Sequence, residues 1–236
     1  MIKFEHTEVM NFEGALRGMR NPLNSWDKSD SFLICGDKVC TAMSDCDLAC
    51  NIPHFKVGKN DLDLAQRLIK AGSDHRKFLR QIFVSVDITA PLYWWKEFDT
   101  YKVATVSNSC STMHKIHAKE FTLEDFSCEK LFNDFKSCDD TLVKNVNNWY
   151  KQNLEMTIKS LNRAREKYLE TKDKKYWWQM IQLLPSSYNQ KRTITFNYET
   201  LRNIYGSRRN HKLDEWSVGF MKWIDSLPYA EELIKC

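Results

Sequence analysis

Gln81-Ile82-Phe83-Val84-Ser85-Val86-Asp87-Ile88-Thr89-Ala90 runs directly into Pro91-Leu92-Tyr93-Trp94-Trp95-Lys96-Glu97-Phe98-Asp99-Thr100-Tyr101-Lys102. The first ten residues alternate, with Ile82, Val84, Val86 and Ile88 on one side, which predicts a strand with one face in a core. Pro91 has a fixed φ and no N–H, so it suits the first turn of a helix. A helix is therefore expected to follow at once. Its stripe of Trp94, Trp95 and Phe98 is either core or pocket wall, and core is the simpler reading for each residue taken singly. Beyond Lys102, residues 103–117 are rich in small hydroxyl side chains and read as a loop, where binding groups concentrate.

Other elements extend outward from this joint. Upstream, residues 2–9 read as a strand and Asn11 to Arg20 as a short helix, with Asn11 as its cap and Pro22 beyond its end. Asn60 is expected to cap a helix running to Ala71, with Gly72 at its C-terminal end. Downstream, Asp139 to Thr171 reads as one long helix whose apolar positions include Leu154, Ile158 and Leu161. The run Arg163 to Lys167 on it is a solvated face. Residues 174–184 form a further helix stopped by Pro185. Residues 190–196 alternate as a strand, and helices follow near 198–206, 213–225 and 229–235. The expectation is an α+β chain, a small antiparallel or mixed sheet flanked by long helices. It is read as a single domain over 1–236 with a cysteine-rich insertion at 32–58.

The 236 residues include 35 basic and 31 acidic side chains, so the net charge of +4 lacks the basic stripe of a dedicated nucleic-acid binder. No apolar run approaches the ~20 residues of a membrane span. The start Met1-Ile2-Lys3-Phe4-Glu5-His6 is polar, so a secretory signal is not expected, and eight cysteines are then read as reduced thiols in a cytoplasmic protein. Four of them, Cys35, Cys40, Cys46 and Cys50, cluster. Their spacings are looser than the paired ligands of a structural zinc site. They read as thiols of a loop or hairpin, zinc being the alternative, and no metal is expected.

There is no phosphate-binding glycine loop, no G-x-G-x-x-G after a strand, no H-E-x-x-H and no G-x-S-x-G elbow. Two polar segments remain. Thr100, Tyr101, Lys102, Thr105, Ser107, Asn108, Ser109, Ser111 and His114 offer many donors just after the aromatic helix, suited to an anionic or hydrogen-bonding ligand. Arg208-Arg209-Asn210-His211-Lys212 can clamp a phosphate or a carbonyl. Taken alone, that run is more simply a solvated helix end, where basic residues complement the dipole.

Together these segments resemble the flavin-dependent thymidylate synthases. That family carries R-H-R-x-x-S-x-N-E-x-S-x-R-Y after an apolar strand ending in Ala-Pro and an aromatic helix. Here Ala90-Pro91 precedes LYWWKEFD, Thr100-Tyr101-Lys102 stands at R-H-R, Thr105 at the first serine, and Ser107 to Ser111 over N-E-x-S. Leu184-Pro185, Thr193 to Phe196, Asn197, Leu201, Asn203, Arg208 or Arg209, and Glu215-Trp216 are similar to the family's C-terminal third. The two arginines and the histidine of R-H-R and the glutamate of N-E-x-S are absent. The flavin and substrate phosphates must then be held differently, with Arg17, Arg20, Arg76 and Arg80 as candidates to replace the missing charge, or a different ligand is bound.

The resemblance implies FAD bound at a subunit interface of a homotetramer, NADPH as reductant, and methylenetetrahydrofolate as donor for methylation of dUMP to dTMP. It implies Thr100, Tyr101, Lys102, Thr105, Asn197 and Asn203 toward the flavin. Ser109, Ser111, Arg208 and Arg209 would face the nucleotide, with Arg208 the catalytic group beside the pyrimidine. Trp94, Trp95 and Tyr101 are candidates to stack on flavin or folate. The altered signature leaves two alternatives: another flavin-dependent pyrimidine modification such as hydroxymethylation, or a non-catalytic flavin- or nucleotide-binding relative.

Overall fold

The structure is a computed structural model that describes residues 2–35, 38–40, 54–131 and 149–236. In chain order its elements are β1 (Lys3–Met10), α1 (Phe12–Arg20), β2 (Phe32–Cys35), β3 (Lys38–Cys40), β4 (His54–Lys56), α2 (Lys59–Lys70), β5 (Phe83–Pro91) and α3 (Leu92–Phe98). Then come β6 (Val106–Ser109), α4 (Trp149–Thr171), α5 (Lys174–Leu183), β7 (Asn189–Asn197), α6 (Tyr198–Arg208) and α7 (Met221–Asp225). Six residues of π-helix, Glu215–Phe220, lead into α7, and a second π-helical segment covers Glu231–Lys235. Cys46, Cys50 and the expected helix start at 139–148 lie outside the described residues.

Four strands make a sheet in the order β1-β5-β7-β6, and three make a second in the order β3-β2-β4. The second is antiparallel, with Ile34 opposite Val39 on one side and His54 on the other. It occupies the cysteine-rich stretch. The sequence-based loop at 103–117 is corrected in part, because β6 lies within it. The chain divides into two compact units. The first is Met1–Glu5, Asp87–Thr100 and Ser107–Thr193; the second is His6–Val86, Tyr101–Val106 and Ile194–Cys236.

In the first unit the α4 stripe behaves as its spacing requires: Leu154, Ile158 and Leu161 are buried with Ile116, Phe121, Phe126, Ala164 and Met180. Asn162, on the same helix, clasps one peptide unit. Its Oδ1 accepts from the Phe121 N–H at 2.8 Å and its Nδ2 donates to the Phe121 carbonyl at 2.8 Å. Asp173 caps α5 by accepting from the Lys175 N–H at 2.9 Å. The aromatic stripe is core: Trp94, Trp95 and Phe98 are all at most 1% exposed. Neither tryptophan offers an open face for a cofactor. Trp95 Nε1 donates to the Gln190 carbonyl at 2.9 Å. The Arg192 guanidinium covers the Trp95 ring at 4.2 Å and donates to Asp99 at 2.7 Å.

In the second unit two helix starts differ from expectation. Asn11 stands before α1, but in a left-handed conformation (φ 69°) with no cap bond. Its amide instead donates to the Gln81 carbonyl at 2.9 Å. Asn60 lies inside α2, whose first N–H groups are met by Asp30 from another segment, at 2.9 Å to Asn60 and 3.1 Å to Asp61. A carboxylate beside a helix N-terminus also meets the positive end of its dipole. Tyr198, buried against Phe12, donates its hydroxyl to the Pro228 carbonyl at 2.7 Å. Burial holds that phenol far above its ordinary range, so it stays protonated and able to donate.

The most confined polar group here is Asp61. It is fully buried and accepts from Arg20 Nε at 2.5 Å, Ser29 at 2.7 Å and Ser31 at 2.5 Å. Burial alone would raise its pKa, but the hydrogen bonds from Ser31, Ser29 and Arg20 outweigh it and the carboxyl sits below its ordinary value. Its contribution to stability is therefore complete above the ordinary aspartate pKa of about 3.9 and is lost as pH falls through the lowered value. Asp61→Ala strands Arg20 as a buried unpaired charge and is expected to cost about 3–5 kcal/mol in urea unfolding. Asp61→Asn should flatten the acid limb of a stability-against-pH curve, and an unchanged acid limb would rule out this accounting.

Candidate functional site

In the second unit β7 ends at Asn197, and this residue starts α6. Its Oδ1 accepts from the Thr200 N–H at 2.9 Å and from the Thr200 hydroxyl at 3.1 Å. Thr200 in turn reaches the Val103 carbonyl at 3.4 Å, tying α6 to the segment 101–106. The far end of α6 carries Arg208. Its Nε donates to the Tyr101 hydroxyl at 2.8 Å. The guanidinium lies 5.5 Å from the Tyr101 ring centre and 5.1 Å from that of Trp216. The two rings are 6.2 Å apart at 61°. A planar cation is thus set against two π faces, an arrangement worth more as water is excluded.

The π-helix explains how Trp216 gets there. Such segments are rare and collect at functional sites. Here one places a fully buried indole against the end of α6. Sequence reading noted Glu215-Trp216 but gave the tryptophan no role. Its signal was present, because an indole in a polar, basic neighbourhood is a natural cover for a cation.

The other residues expected toward a cofactor divide. Thr105 stands where the signature serine would be, and its Oγ1 is buried without a hydrogen-bond partner among the described residues. Ala104, just before it, has φ 56°, a left-handed conformation that a Cβ disfavours. Lys102 and Asn203 are exposed. Asn197 is buried and has given its oxygen to the cap. Arg209 is exposed and lies 5.8 Å over the Tyr205 ring, so Arg208 is the arginine that Tyr101 and Trp216 hold. Of the four arginines considered as replacement charge, Arg20 is bound to Asp61, and Arg76 donates to both oxygens of Glu199 at 3.0 Å. Arg17 and Arg80 are exposed.

The first unit holds the serine-rich turn. Thr100 caps the end of α3 by donating to the Glu97 carbonyl at 2.7 Å. Ser109 is exposed at the end of β6. Ser111 accepts from the His114 N–H at 3.0 Å and lines a cavity of about 540 Å³ with Cys110, Tyr188 and Gln190. The turn is fixed to β7, because the Cys110 N–H donates to the Lys191 carbonyl at 2.9 Å and Gln190 Nε2 donates to the Cys110 carbonyl at 2.8 Å. Among the described residues no group of three or more His, Cys, Asp or Glu is arranged to hold a metal. No described helix is long and apolar enough to cross a membrane.

No protein-family model matches the sequence, and no curated protein does. Solved structures do match. Thymidylate synthase X from Helicobacter pylori, with FAD and dUMP, aligns at a TM-score of 0.60 and 16% identity over 99% of this chain and 96% of that one. A second structure of the flavin-dependent enzyme from Helicobacter pylori, complexed with FAD and dUMP, gives 0.61 and 15% over 100% and 98%. At such identity the likeness is one of fold, and along nearly its whole length this chain has the fold of the flavin-dependent thymidylate synthases.

Proposed function

We propose that the protein is a flavin-dependent enzyme acting on a pyrimidine nucleotide, methylating dUMP to dTMP. The observation that carries the reading is the guanidinium of Arg208 held by Tyr101 and Trp216 in a chain whose fold is that of thymidylate synthase X. The residues present fit FAD, whose polar edges and diphosphate need donors and cations. Thr105 offers a buried hydroxyl with no partner among the described residues. Lys102 offers an exposed ammonium and Asn203 an exposed amide. Thr100, Tyr101, Lys102, Thr105, Asn203 and the amide nitrogen of Asn197 are the groups assigned to hold it. When bound, the flavin supplies the hydride that completes the methyl group, with NADPH and methylenetetrahydrofolate as co-substrates.

The chain's own contribution is positional and electrostatic. The bond from Arg208 Nε to Tyr101 fixes the plane of the guanidinium. A uracil carbonyl beside that plane meets a positive charge where negative charge builds as C5 attacks the one-carbon unit. The two rings keep water from the cation, which strengthens its field. Ser109, Ser111 and Arg209 are assigned to the nucleotide. The homotetramer with FAD between protomers belongs to the same proposal. A second reading, a related modification such as hydroxymethylation, is favoured by Thr100-Tyr101-Lys102 standing where two arginines and a histidine would be. In that reading Tyr101 orients Arg208 and the chemistry at the ring is changed.

Titration of the purified protein with FAD and then dUMP tests the reading. Flavin absorption should be retained and should shift on adding dUMP. A protein that takes up neither ligand overturns it. Growth of a thymidine-requiring bacterium on this gene separates dTMP formation from the second reading. Arg208→Ala is expected to weaken dUMP binding at least tenfold and to lower turnover by about 10²–10³. Arg208→Lys should not restore it, because an ammonium lacks the planar fork. Tyr101→Phe removes one hydrogen bond to a charged group, worth about 1.5–3 kcal/mol, and should raise the dUMP KM with the flavin still bound. Unchanged kinetics in Arg208→Ala would remove that residue from the site.

A further inference from the structure

We propose that the cavity of the first unit binds the phosphate of the nucleotide through two lysines, Lys3 and Lys115. The inference rests on the dUMP reading for the identity of the nucleotide and on the cavity alone for the binding of phosphate. Four lysines line this space: Lys3 from β1, Lys115 and Lys119 from the segment after β6, and Lys191 from β7. At about 540 Å³ it falls within the roughly 300–1,000 Å³ of small-molecule sites.

The four are not equivalent. Lys119 is paired with Asp125. Lys191 is shared between Glu5 at 3.2 Å and Asp87 at 3.1 Å. Lys3 and Lys115 pair with no carboxylate among the described residues. With Glu124 and Asp125 also lining the space, the four lysines leave two positive charges in excess, a match for a phosphate monoester, which carries about −1.5 to −2 charges near neutral pH. Ser111 adds a donor in kind. Its oxygen already accepts from the His114 N–H, so its proton is directed elsewhere. On another wall Tyr188 is braced by Phe121 at 6.1 Å and Phe126 at 5.6 Å, a rigid aromatic surface for the sugar.

Arg20 is consumed by Asp61 and Arg76 by Glu199, and neither Arg17 nor Arg80 lines this cavity. Lysine differs from arginine in consequence. It is a mobile point charge without a bidentate fork, so it recognises charge more than shape. Binding should accordingly weaken with ionic strength.

The test compares four probes on the full chain by calorimetry: dUMP, deoxyuridine, inorganic phosphate and FAD. In the double variant Lys3→Gln/Lys115→Gln, the Kd for dUMP should rise at least tenfold and its salt dependence should flatten. Deoxyuridine and FAD should bind as before. Lys115→Arg should retain most of the dUMP affinity, and an unchanged urea midpoint shows that the fold is intact. Unchanged dUMP affinity in the double variant overturns the inference. Loss of FAD binding with dUMP unaffected assigns the lysines to the cofactor's diphosphate and also overturns it. If the unmodified protein binds neither dUMP nor FAD, the enzymatic reading fails separately. Inorganic phosphate then decides the cradle: binding lost in the double variant upholds it, and absent or lysine-independent binding overturns it.

Discussion

A buried carboxylate with three donors organises the second unit. Asp61 takes a guanidinium and two hydroxyls, so every group it meets is fixed in direction as well as in distance. Removing water from such a pair is costly, and the arrangement is tolerable only because the lone pairs of the acid are nearly all used. The consequence reaches the helices. Arg20 ends α1 and Asp61 begins α2, so the ion pair ties the end of one helix to the start of another. Arg20 also reaches the carbonyl of Ser25 at 3.1 Å, which fixes the turn between them. A hydrophobic contact would hold these elements near one another; this network also sets how they are rotated.

The same physics recurs in milder form around Arg208. There the cation meets a phenol hydroxyl and two ring faces. Arg76, part-buried like Arg208, is committed to Glu199.

The fold was largely legible. The alternation of Ile82 to Ile88 and the stripe of Leu154, Ile158 and Leu161 each name a buried face by period alone. Helix starts were less legible, because capping at Asn60 was read from the nearest residue. The actual partner, Asp30, comes from distant sequence. The site was half visible. Arg208 and Tyr101 were named separately, yet only the folded chain joins them, since their hydrogen bond spans 107 positions. Lys3 and Lys115 carried no local signal at all. A lone lysine is ordinary surface, and its meaning lies in which carboxylates fail to reach it.

One feature of the C-terminal region constrains how this protein can change. A π-helix packs more residues into each turn than an α-helix, so Glu215–Phe220 behaves as a stored insertion. Losing a single amino acid there would let the coil tighten to its commoner pitch and swing the indole at 216 out of register with the arginine it covers. Descendants of this gene can therefore exchange side chains along that coil more freely than they can alter its length.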